Sequence, residues 1–510
     1  TMQSGAPSSP KNPRVLIVTP EITYLPEGMG NMANHLKAKA GGLADVSASL
    51  VSALFELGAD VHVALPHYRR MFNIQVEQLI SDELRVYKSK LPDSRIHLAE
   101  DRIFYYRSEV YSQHAADNPR IAMAFQREVV NNIISRVQPD LIHCNDWMTG
   151  LVPAAARRQN IPCLMTLHNI HTYEVTLERI EDSGVDAAEF WPYLYYLRVP
   201  QNYEESRSTN MVDFLASGVF ASHFINTVSP KFLEEIALGW HSFIPPHIRS
   251  EIINKRNSGC AVGILNAPDP SYNPTTDPVL EYHYTADTHP DAKLWNKRQL
   301  QARLGLRKVD SAPMFFLPSR LDPAQKGCQL LAHILYDVIS TYWEDNLQVV
   351  IIANGAYKKP FRDIVRFHNF HDRVAVWDFD EKLERLAYAA SDFMLIPSLY
   401  EPCGLPQMIS CLYGSLPVAH DTGGLHDTVT HLDADANTGN GFVFKTYDSG
   451  GLRWAMDEAM AFHHRPREVK AQTLARIMKE SAATFNHSVT ARHYFDLYEQ
   501  MLQRPLVNPF

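Results

Sequence analysis

The sequence lacks several features that mark whole classes of protein. Its six cysteines are scattered, without Cys-x-x-Cys or Cys/His ligand spacing, which argues against a disulfide framework and a zinc site and favours a reducing compartment. No apolar run approaches the roughly 18 residues that a membrane-spanning helix needs. Positive charge is not in excess either, since the formal net charge is −9, and this disfavours a nucleic-acid-binding surface.

What is present indicates an ordinary globular chain of more than one domain. With 510 residues, 45% of them hydrophobic and 21% charged, the chain is too long for a single core and fits two domains. Residues 1–12 are polar and rich in proline and serine, without the apolar centre of a signal peptide, so we expect a disordered leader there. These features predict a cytoplasmic protein.

From residue 13 onward, short apolar runs alternate with amphipathic stretches of helical length. The first series predicts strands at 14–21, 60–66, 140–146, 163–169 and 224–230, with helices at 43–58, 120–138 and 147–159. After a turn-rich link at 254–290, the second series predicts strands at 315–320, 347–355, 373–379, 393–398 and 416–421. Its predicted helices include one at 381–390 and two that begin near residues 327 and 405.

Strand, helix and strand in succession predict parallel sheets covered on both faces, so the fold class is α/β with two doubly wound units. We place these units at 13–255 and 256–485, followed by an amphipathic helix within 486–510. Ligands of open parallel sheets lie beyond the carboxyl ends of the strands, and two facing sheets make a cleft. The candidate residues are therefore the polar or aromatic ones that follow each run: Glu21, Asp146, His168, Asn169, Ser229, Asn266, Arg320, Lys326, Phe379, Glu401 and Thr422.

Two pairs of glycines stand where helices should begin. Gly41 and Gly42 follow Lys39, and a second pair follows Thr422 in the segment 421–429. Glycine lowers helix propensity, so the pairs indicate close approach of the backbone to a bound group, and free helix N–H groups suit phosphate. The alternative is a turn into a packed helix beside a solvated lysine.

Two further motifs carry charged groups at strand ends. Arg320 and Lys326 lie on either side of a turn in 319–327, where two cations beside helix N–H groups can hold a diphosphate without a metal; a solvated surface loop is the alternative. Glu401 begins EPCGL, whose proline and glycine fix the turn. A carboxylate aimed in this way can accept hydrogen bonds from sugar hydroxyls, or it can cap a helix.

Weaker signals surround these motifs. His168 and His171 have no third ligand nearby in the sequence, so we expect hydrogen-bonding histidines and no metal site. Asp146 and Trp147 are suited to sugar binding, but an indole at this position also suits core packing. Phe379 is either a stacking platform for a base or a core residue.

Taken together, the motifs resemble those of bacterial glycogen synthases and plant starch synthases, which are retaining glucosyltransferases of the GT-B fold. The resemblance runs from about residue 13 to 503. Its most specific segments are KAGGLADV (39–46), NDW (145–147), LHN (167–169), TVSP (227–230), GILN (263–266), SRLDPAQKG (319–327), PSLYEPCGL (397–405) and TGGLHDTV (422–429).

The resemblance implies a role for each candidate. Arg320 and Lys326 would neutralise the diphosphate leaving group, Glu401 would hold the donor glucose, and His168 would lie near the anomeric carbon. Lys39 would complete the catalytic set. The donor-binding residues would be Gly41, Gly42, Asp146, Asn266, Phe379, Thr422, Gly423, Gly424 and Leu425. The acceptor or sugar pocket would contain Glu21, Trp147 and Asn169.

The implied activity is transfer of glucose from ADP-glucose or UDP-glucose to an α-1,4-glucan or oligosaccharide acceptor, without metal or other cofactor. The location would be the cytoplasm, or the plastid stroma of a photosynthetic eukaryote.

Departures from the family pattern are Leu399 for arginine, Met148 for histidine, NAPD at 266–269, an insertion at 26–36 and the continuation HTYEV at 171–175. Related families carry a second glutamate at position 409, where this chain has Ile409. Close relatives of this chain also lack that glutamate. Two alternatives therefore stay open: a sucrose-synthase-like enzyme with a small acceptor, and a glucan-binding scaffold without turnover. The sequence does not fix the oligomeric state.

Overall fold

The structure is a computed structural model that describes residues 11–20, 43–66, 91, 93–99 and 117–509. Within these residues the chain forms two large parallel β-sheets, each with helices packed on it. The predicted α/β class with two doubly wound units is therefore confirmed.

The first unit is built on a sheet of seven parallel strands. The described residues up to 263 form nine strands: β1 (Arg14–Val18), β2 (Asp60–Pro66), β3 (Ile96–Ala99), β4 (Leu141–Asn145), β5 (Cys163–Leu167), β6 (Glu174–Thr176), β7 (Met211–Asp213), β8 (Phe224–Thr227) and β9 (Ala261–Gly263). The sheet order is β3-β2-β1-β4-β5-β8-β9, and β6 and β7 form a separate antiparallel pair. Val15 lies between Val61 and Leu141 in the register. Because helices cover both faces, β4 and β5 are buried along their whole length.

The helices of this unit connect the strands. They are α1 (Leu43–Leu57), α2 (Asp117–Glu128), α3 (Ile134–Val137), α4 (Val152–Arg158), α5 (Leu177–Asp182), α6 (Tyr203–Ser208), α7 (Phe214–Ala221), α8 (Pro230–Leu238) and α9 (Pro246–Asn257). A π-helical segment, Val129–Ile133, joins α2 to α3. Pro230 and Ser229 show why α8 starts there: the serine hydroxyl accepts from the Phe232 N–H, and proline suits a first helical turn.

The second unit has a sheet of six parallel strands. They are β10 (Met314–Arg320), β11 (Gln348–Asn354), β12 (Val374–Asp378), β13 (Phe393–Ile396), β14 (Leu416–His420) and β15 (Phe442–Phe444), in the order β12-β11-β10-β13-β14-β15. Its helices are α10 (His289–Leu304), α11 (Cys328–Thr341), α12 (Lys358–His368), α13 (Glu381–Ala390), α14 (Pro406–Tyr413), α15 (Gly423–Thr428), α16 (Ser449–His463) and α17 (Arg467–Thr484).

The last helix, α18 (His487–Leu502), packs on the first sheet instead of the second. The Tyr498 hydroxyl lies 2.5 Å from Nδ1 of His143 in β4, and Asn226 in β8 donates to the Tyr494 hydroxyl at 3.0 Å. Burial of both tyrosines against β4 and β8 ties the end of the described chain to the first unit.

Two sequence predictions differ from the structure. The boundary at 255 falls inside α9 and separates β9 from the sheet to which it belongs, so the sheets divide after Gly263. The helix predicted over 147–159 is wrong at its start, because Trp147–Thr149 form a single turn and α4 begins at Val152. A Cβ on Gly150 would lie 2.0 Å from the Phe214 carbonyl oxygen, so this turn depends on tight backbone packing. Across the described ranges, every helix is too short or too polar to cross a bilayer.

Candidate active site

A small pocket at the carboxyl end of the second sheet brings together the charged residues of two motifs. Arg320 ends β10, Lys326 follows in the next turn, and Glu401 follows β13; all three line the pocket. Lys326 Nζ lies 3.0 Å from Glu401 Oε2, and the Glu401 residue is only 8% exposed. Two cations and one carboxylate, separated by up to 81 positions in the chain, thus share one pocket at the strand ends.

Backbone packing fixes this pocket. Ser398 donates a hydrogen bond to Glu401 Oε2 at 3.2 Å, and this bond and the lysine define the carboxylate's direction. Gly327 has a φ of 67° and lies against the segment that follows β13. A Cβ on Gly327 would be 1.8 Å from the Pro397 carbonyl oxygen. Only glycine permits this approach, so the turn that carries Lys326 is held directly against the segment that carries Glu401.

The second glycine pair contacts protein backbone. A Cβ on Gly423 would lie 1.9 Å from the Glu401 carbonyl oxygen, and one on Gly424 would lie 1.7 Å from the Cys403 carbonyl oxygen. The Gly424 N–H donates to the Glu401 carbonyl at 2.9 Å, and the Leu425 N–H donates to Thr422 at 3.0 Å. The glycines thus permit the start of α15 to pack on EPCGL, as in the packed-turn alternative, and a role of the pair in donor binding stays a prediction.

The N–H of Gly423 is also used within the protein. It donates to Glu235 Oε1 of α8 at 2.7 Å, and the Thr422 hydroxyl donates to Glu235 Oε2 at 3.0 Å. Glu235 is only 1% exposed. A carboxylate of the first unit therefore occupies the helix start at which the sequence predicted the donor's phosphates.

A second set of hydrogen bonds joins the same two helices. Ser229 Oγ donates to Asp427 Oδ2, and the Lys231 N–H donates to the same oxygen at 3.2 Å. Nearby, the rings of Phe243 and Tyr400 stack with centroids 4.4 Å apart. Since α8 follows β8 and α15 follows β14, these contacts join the carboxyl ends of the two sheets.

At the edge of the first sheet, β4 and β5 place two predicted residues together. Asp146 follows β4, and its Oδ1 accepts the His168 N–H at 2.7 Å. The His168 ring, which follows β5, contacts the Asn145 side-chain oxygen through Nε2 at 3.0 Å. Burial lowers the pKa of His168 to about 3, with the neighbouring His143 adding to the decrease, so this imidazole is neutral at physiological pH.

Asp146 has an unusual backbone and an unusual carboxyl group. Its φ of 59° and ψ of −177° belong to a region that glycine alone adopts readily, with strain on the order of 1–3 kcal/mol for other residues. Burial raises its pKa to about 8, against the opposing hydrogen bonds from the backbone of His168 and Asn169. Its Oδ2 is buried and has no hydrogen-bond partner among the described residues. The group is therefore mainly the neutral acid at pH 7, and its buried Oδ2 is left unused by the described residues.

The remaining predicted residues are distributed less tightly. Trp147 is buried against Tyr173 and Phe214 in the first core, which favours packing over sugar contact. Asn266 lies in the link just after β9, and its backbone N–H bonds the Cys403 thiol. Phe379 is half-buried beyond the edge strand β12.

Asn169 accepts the His171 N–H at 3.0 Å and shapes the turn after β5. Four predicted residues, Glu21, Lys39, Gly41 and Gly42, and the insertion at 26–36 lie outside the described residues.

The departures from the family pattern occupy different environments. Met148 is buried in the first core, and Ile409 is buried in the second unit. Leu399, in contrast, is 40% exposed immediately before the residues that lead to Glu401. Of these three described residues, only Leu399 therefore contributes to a solvent-accessible surface near the pocket.

Sequence reasoning missed Glu235 and Asp427. Glu235 stands three positions after Phe232 and one before Ile236, both buried, so helical periodicity already places its side chain on the apolar face of α8. A carboxylate on such a face needs a polar partner, which is the signal that could have identified it. The identity of the partner depends on the second sheet and could not be read locally.

Comparison with known proteins identifies the family of this chain. A family model described as the starch synthase catalytic domain matches residues 14–242, and the model for glycosyl transferases group 1 matches residues 303–473. The glycogen synthase of Moorella thermoacetica is 33% identical, in an alignment that covers 96% of this chain and 97% of the relative. The chain belongs to the glycogen and starch synthase family.

Other members of the family agree with this assignment. The glycogen synthase of Bacillus subtilis is 28% identical over 91% of this chain and 95% of its own length. Among solved structures, the catalytic domain of starch synthase IV from Arabidopsis thaliana, bound to ADP and acarbose, superposes with a TM-score of 0.73. It is 26% identical and covers 97% of this chain and 100% of its own. The protein is thus a glycogen/starch synthase-like, nucleotide-sugar-dependent glucosyltransferase with the GT-B fold.

Proposed function

We propose that this synthase transfers glucose from ADP-glucose to the non-reducing end of an α-1,4-glucan in the cytoplasm, with retention of configuration. The observation that carries the proposal is the pocket in which Arg320, Lys326 and Glu401 lie together at the ends of β10 and β13. The choice of ADP-glucose is supported by the starch synthase IV structure, which is bound to ADP.

Arg320 and Lys326 would act on the leaving group. Breaking the bond between glucose and a nucleoside diphosphate leaves negative charge on the departing phosphate oxygen. Fixed cations in a pocket of low dielectric constant stabilise that charge without reorganisation, which is the contribution a metal ion makes in other transferases. We therefore expect turnover to continue in excess EDTA, and loss of turnover that added Mg²⁺ restores would contradict this role.

Glu401, Asp146 and His168 would act on the glucose. Glu401 is oriented by Lys326 and Ser398, so its carboxylate can accept hydrogen bonds from sugar hydroxyls and oppose the positive charge that develops at the anomeric carbon. Across the cleft, the neutral acid of Asp146 can donate from Oδ2. The neutral imidazole of His168 adds no positive charge beside the reacting sugar.

The contact between the two units would couple binding to closure. Glu235 and Ser229 bridge to α15, next to the EPCGL segment, so movement of one sheet relative to the other is transmitted to the residues beside Glu401. Closure would also exclude water, which otherwise hydrolyses the activated donor.

The deciding experiment supplies the protein with radiolabelled ADP-glucose or UDP-glucose, each with and without a glycogen primer. Label in polymer that depends on primer supports the proposal, and faster labelling from ADP-glucose supports the stated donor. A soluble labelled product formed with fructose would instead identify an enzyme with a small acceptor. Binding of glycogen without any transfer would identify a scaffold. A β-configured linkage in the product would exclude retention.

A further inference from the structure

A second cavity lies at the opposite end of the second sheet from the catalytic pocket. It has a volume of about 670 Å³ and lies between the start of α10, the end of α16 and the first turns of α17. Asp392, which lines it, immediately precedes β13, whereas Ser398 and Glu401 follow that strand. The two sites are thus separated by the length of a strand and share no lining residue.

Three lysines enter this cavity, but they are not equivalent. Lys293 Nζ donates to the carbonyls of Tyr388, Ala389 and Tyr413, at the ends of α13 and α14. An ammonium has three hydrogens, so Lys293 is saturated and serves the two helix ends.

Lys297 and Lys470 have donor capacity left. Lys297 Nζ donates to Asp392 Oδ2 at 2.6 Å and to the Ala312 carbonyl at 2.9 Å. Lys470 Nζ makes one hydrogen bond within the described chain, to the His463 carbonyl at 2.9 Å. One N–H of Lys297 and two of Lys470 therefore remain for a bound group.

Four acids line the wall beside three lysines and Arg467, and three of these acids already have partners. Asp392 is already shared by Lys297 and the Met314 N–H, at 2.6 Å and 2.9 Å. Asp310 is bound by the guanidinium of Arg298, and Asp345 lies 2.7 Å from the His464 ring. Only Glu344, on the wall, is an acid without such a described partner.

Burial is the main influence on the ionisation of the basic groups in the cavity. Burial lowers the pKa of Lys293 to about 7 and also lowers the pKa of Lys470 and of His463. For Lys470 the positive charges of Lys297 and Arg467 add to the decrease, although Asp392 opposes it. A bound anion would remove this repulsion.

The first turn of α17 carries charges of both signs, since Glu468 is acidic and Arg467 lies 3.1 Å from Asp291. Its N-cap residue is Pro466, whose side chain has no hydrogen-bond acceptor, and Arg467, Lys470 and Ala471 on its first turns line the cavity. Uncapped N–H groups at a helix start favour negative charge nearby.

We propose that this cavity is a binding site for a small organic anion, whose phosphate or carboxylate group is held by Lys297 and Lys470 beside His463. The volume is in the range of small-molecule sites. Phe462, Leu474 and Leu294 provide apolar walls for the body of the ligand. The site is independent of the transfer reaction proposed above, since it lies at the other end of β13.

Phenyl phosphate tests the proposal because it combines an anionic group with an apolar body, and inorganic phosphate and neutral benzyl alcohol test each part alone. Binding is measured by calorimetry and located by hydrogen exchange on the full chain. We expect saturable binding with protection in 462–474, at least about tenfold tighter than for inorganic phosphate, and none for benzyl alcohol.

Variants separate this site from the catalytic pocket. Lys470→Met should weaken phenyl phosphate binding by about tenfold or more, and His463→Gln provides a second test if that variant does not fold. Lys479→Met is the matched control, because Lys479 is on the same helix but pairs with Asp287 outside the cavity. Protection confined to residues near 320–326, equal affinity for inorganic phosphate, or unchanged affinity in both Lys470→Met and His463→Gln would overturn the proposal.

Discussion

The buried acid of Asp146 makes a quantitative prediction about stability and pH. Asp146→Asn keeps an oxygen to accept the His168 N–H and keeps the residue's size, but it removes the titrating group. The strained backbone is present in both proteins. The change with pH in the stability difference between the variant and the wild type therefore reports the ionisation of this carboxyl group.

The sign follows from the two pKa values. The pKa of Asp146 rises from its ordinary value of 3.8 to about 8 on folding, so between these values the folded protein binds one proton more than the unfolded chain. Wild-type stability then falls, relative to the variant, by about 1.4 kcal/mol per pH unit as the pH rises. Between pH 5 and pH 7 the variant should gain about 3 kcal/mol, or roughly 6–12 °C in melting temperature for a domain of this size.

The assay is thermal unfolding of both proteins at pH 5, 6, 7 and 8, followed by tryptophan fluorescence. The chain has seven tryptophans, so the signal follows both units, and Trp147, which adjoins the substituted residue in the first core, contributes to the transition of the first unit. We expect the gap in melting temperature to widen steadily up to about pH 8. A gap that stays constant from pH 5 to pH 8 would show that Asp146 titrates normally and would refute the neutral-acid role.

Other substitutions test the rest of the site. Lys326→Met should lower kcat by about 100- to 1,000-fold with little change in melting temperature, and Glu401→Ala should likewise abolish transfer; near-normal rates would make either residue structural. Glu235→Gln weakens two buried hydrogen bonds to the start of α15 and should lower the free energy of unfolding by about 1–3 kcal/mol, measured by denaturant titration. An unchanged free energy of unfolding would show that these hydrogen bonds do not stabilise the protein. Gly424→Ala places a Cβ 1.7 Å from the Cys403 carbonyl oxygen and should reduce soluble expression and melting temperature; a wild-type melt would contradict the packing.

Local patterns predicted most of the architecture. Strands read as continuous apolar runs because parallel strands are buried on both faces, and the predicted helix at 381–390 coincides with Glu381–Ala390. The rule that ligands lie beyond strand ends selected Asp146, His168, Arg320, Lys326 and Glu401 without knowledge of how strands are ordered.

Other features could not be found in this way because their partners are distant in sequence. Glu235 and Gly423 are 188 positions apart, and the local sequence around either residue does not identify the other as its partner. The same limit explains the glycine pair, whose neighbour is the backbone of EPCGL, and Trp147, whose burial depends on Phe214.

The sequence by itself determined the two α/β units and the residue types at the strand ends, because hydrophobic periodicity and turn residues act over a few positions. The tertiary structure alone decided which of those residues share a pocket and which are core. It also decided the charge of Asp146, since ionisation depends on burial and on neighbours from β5 that only the folded sheet brings to that carboxyl group.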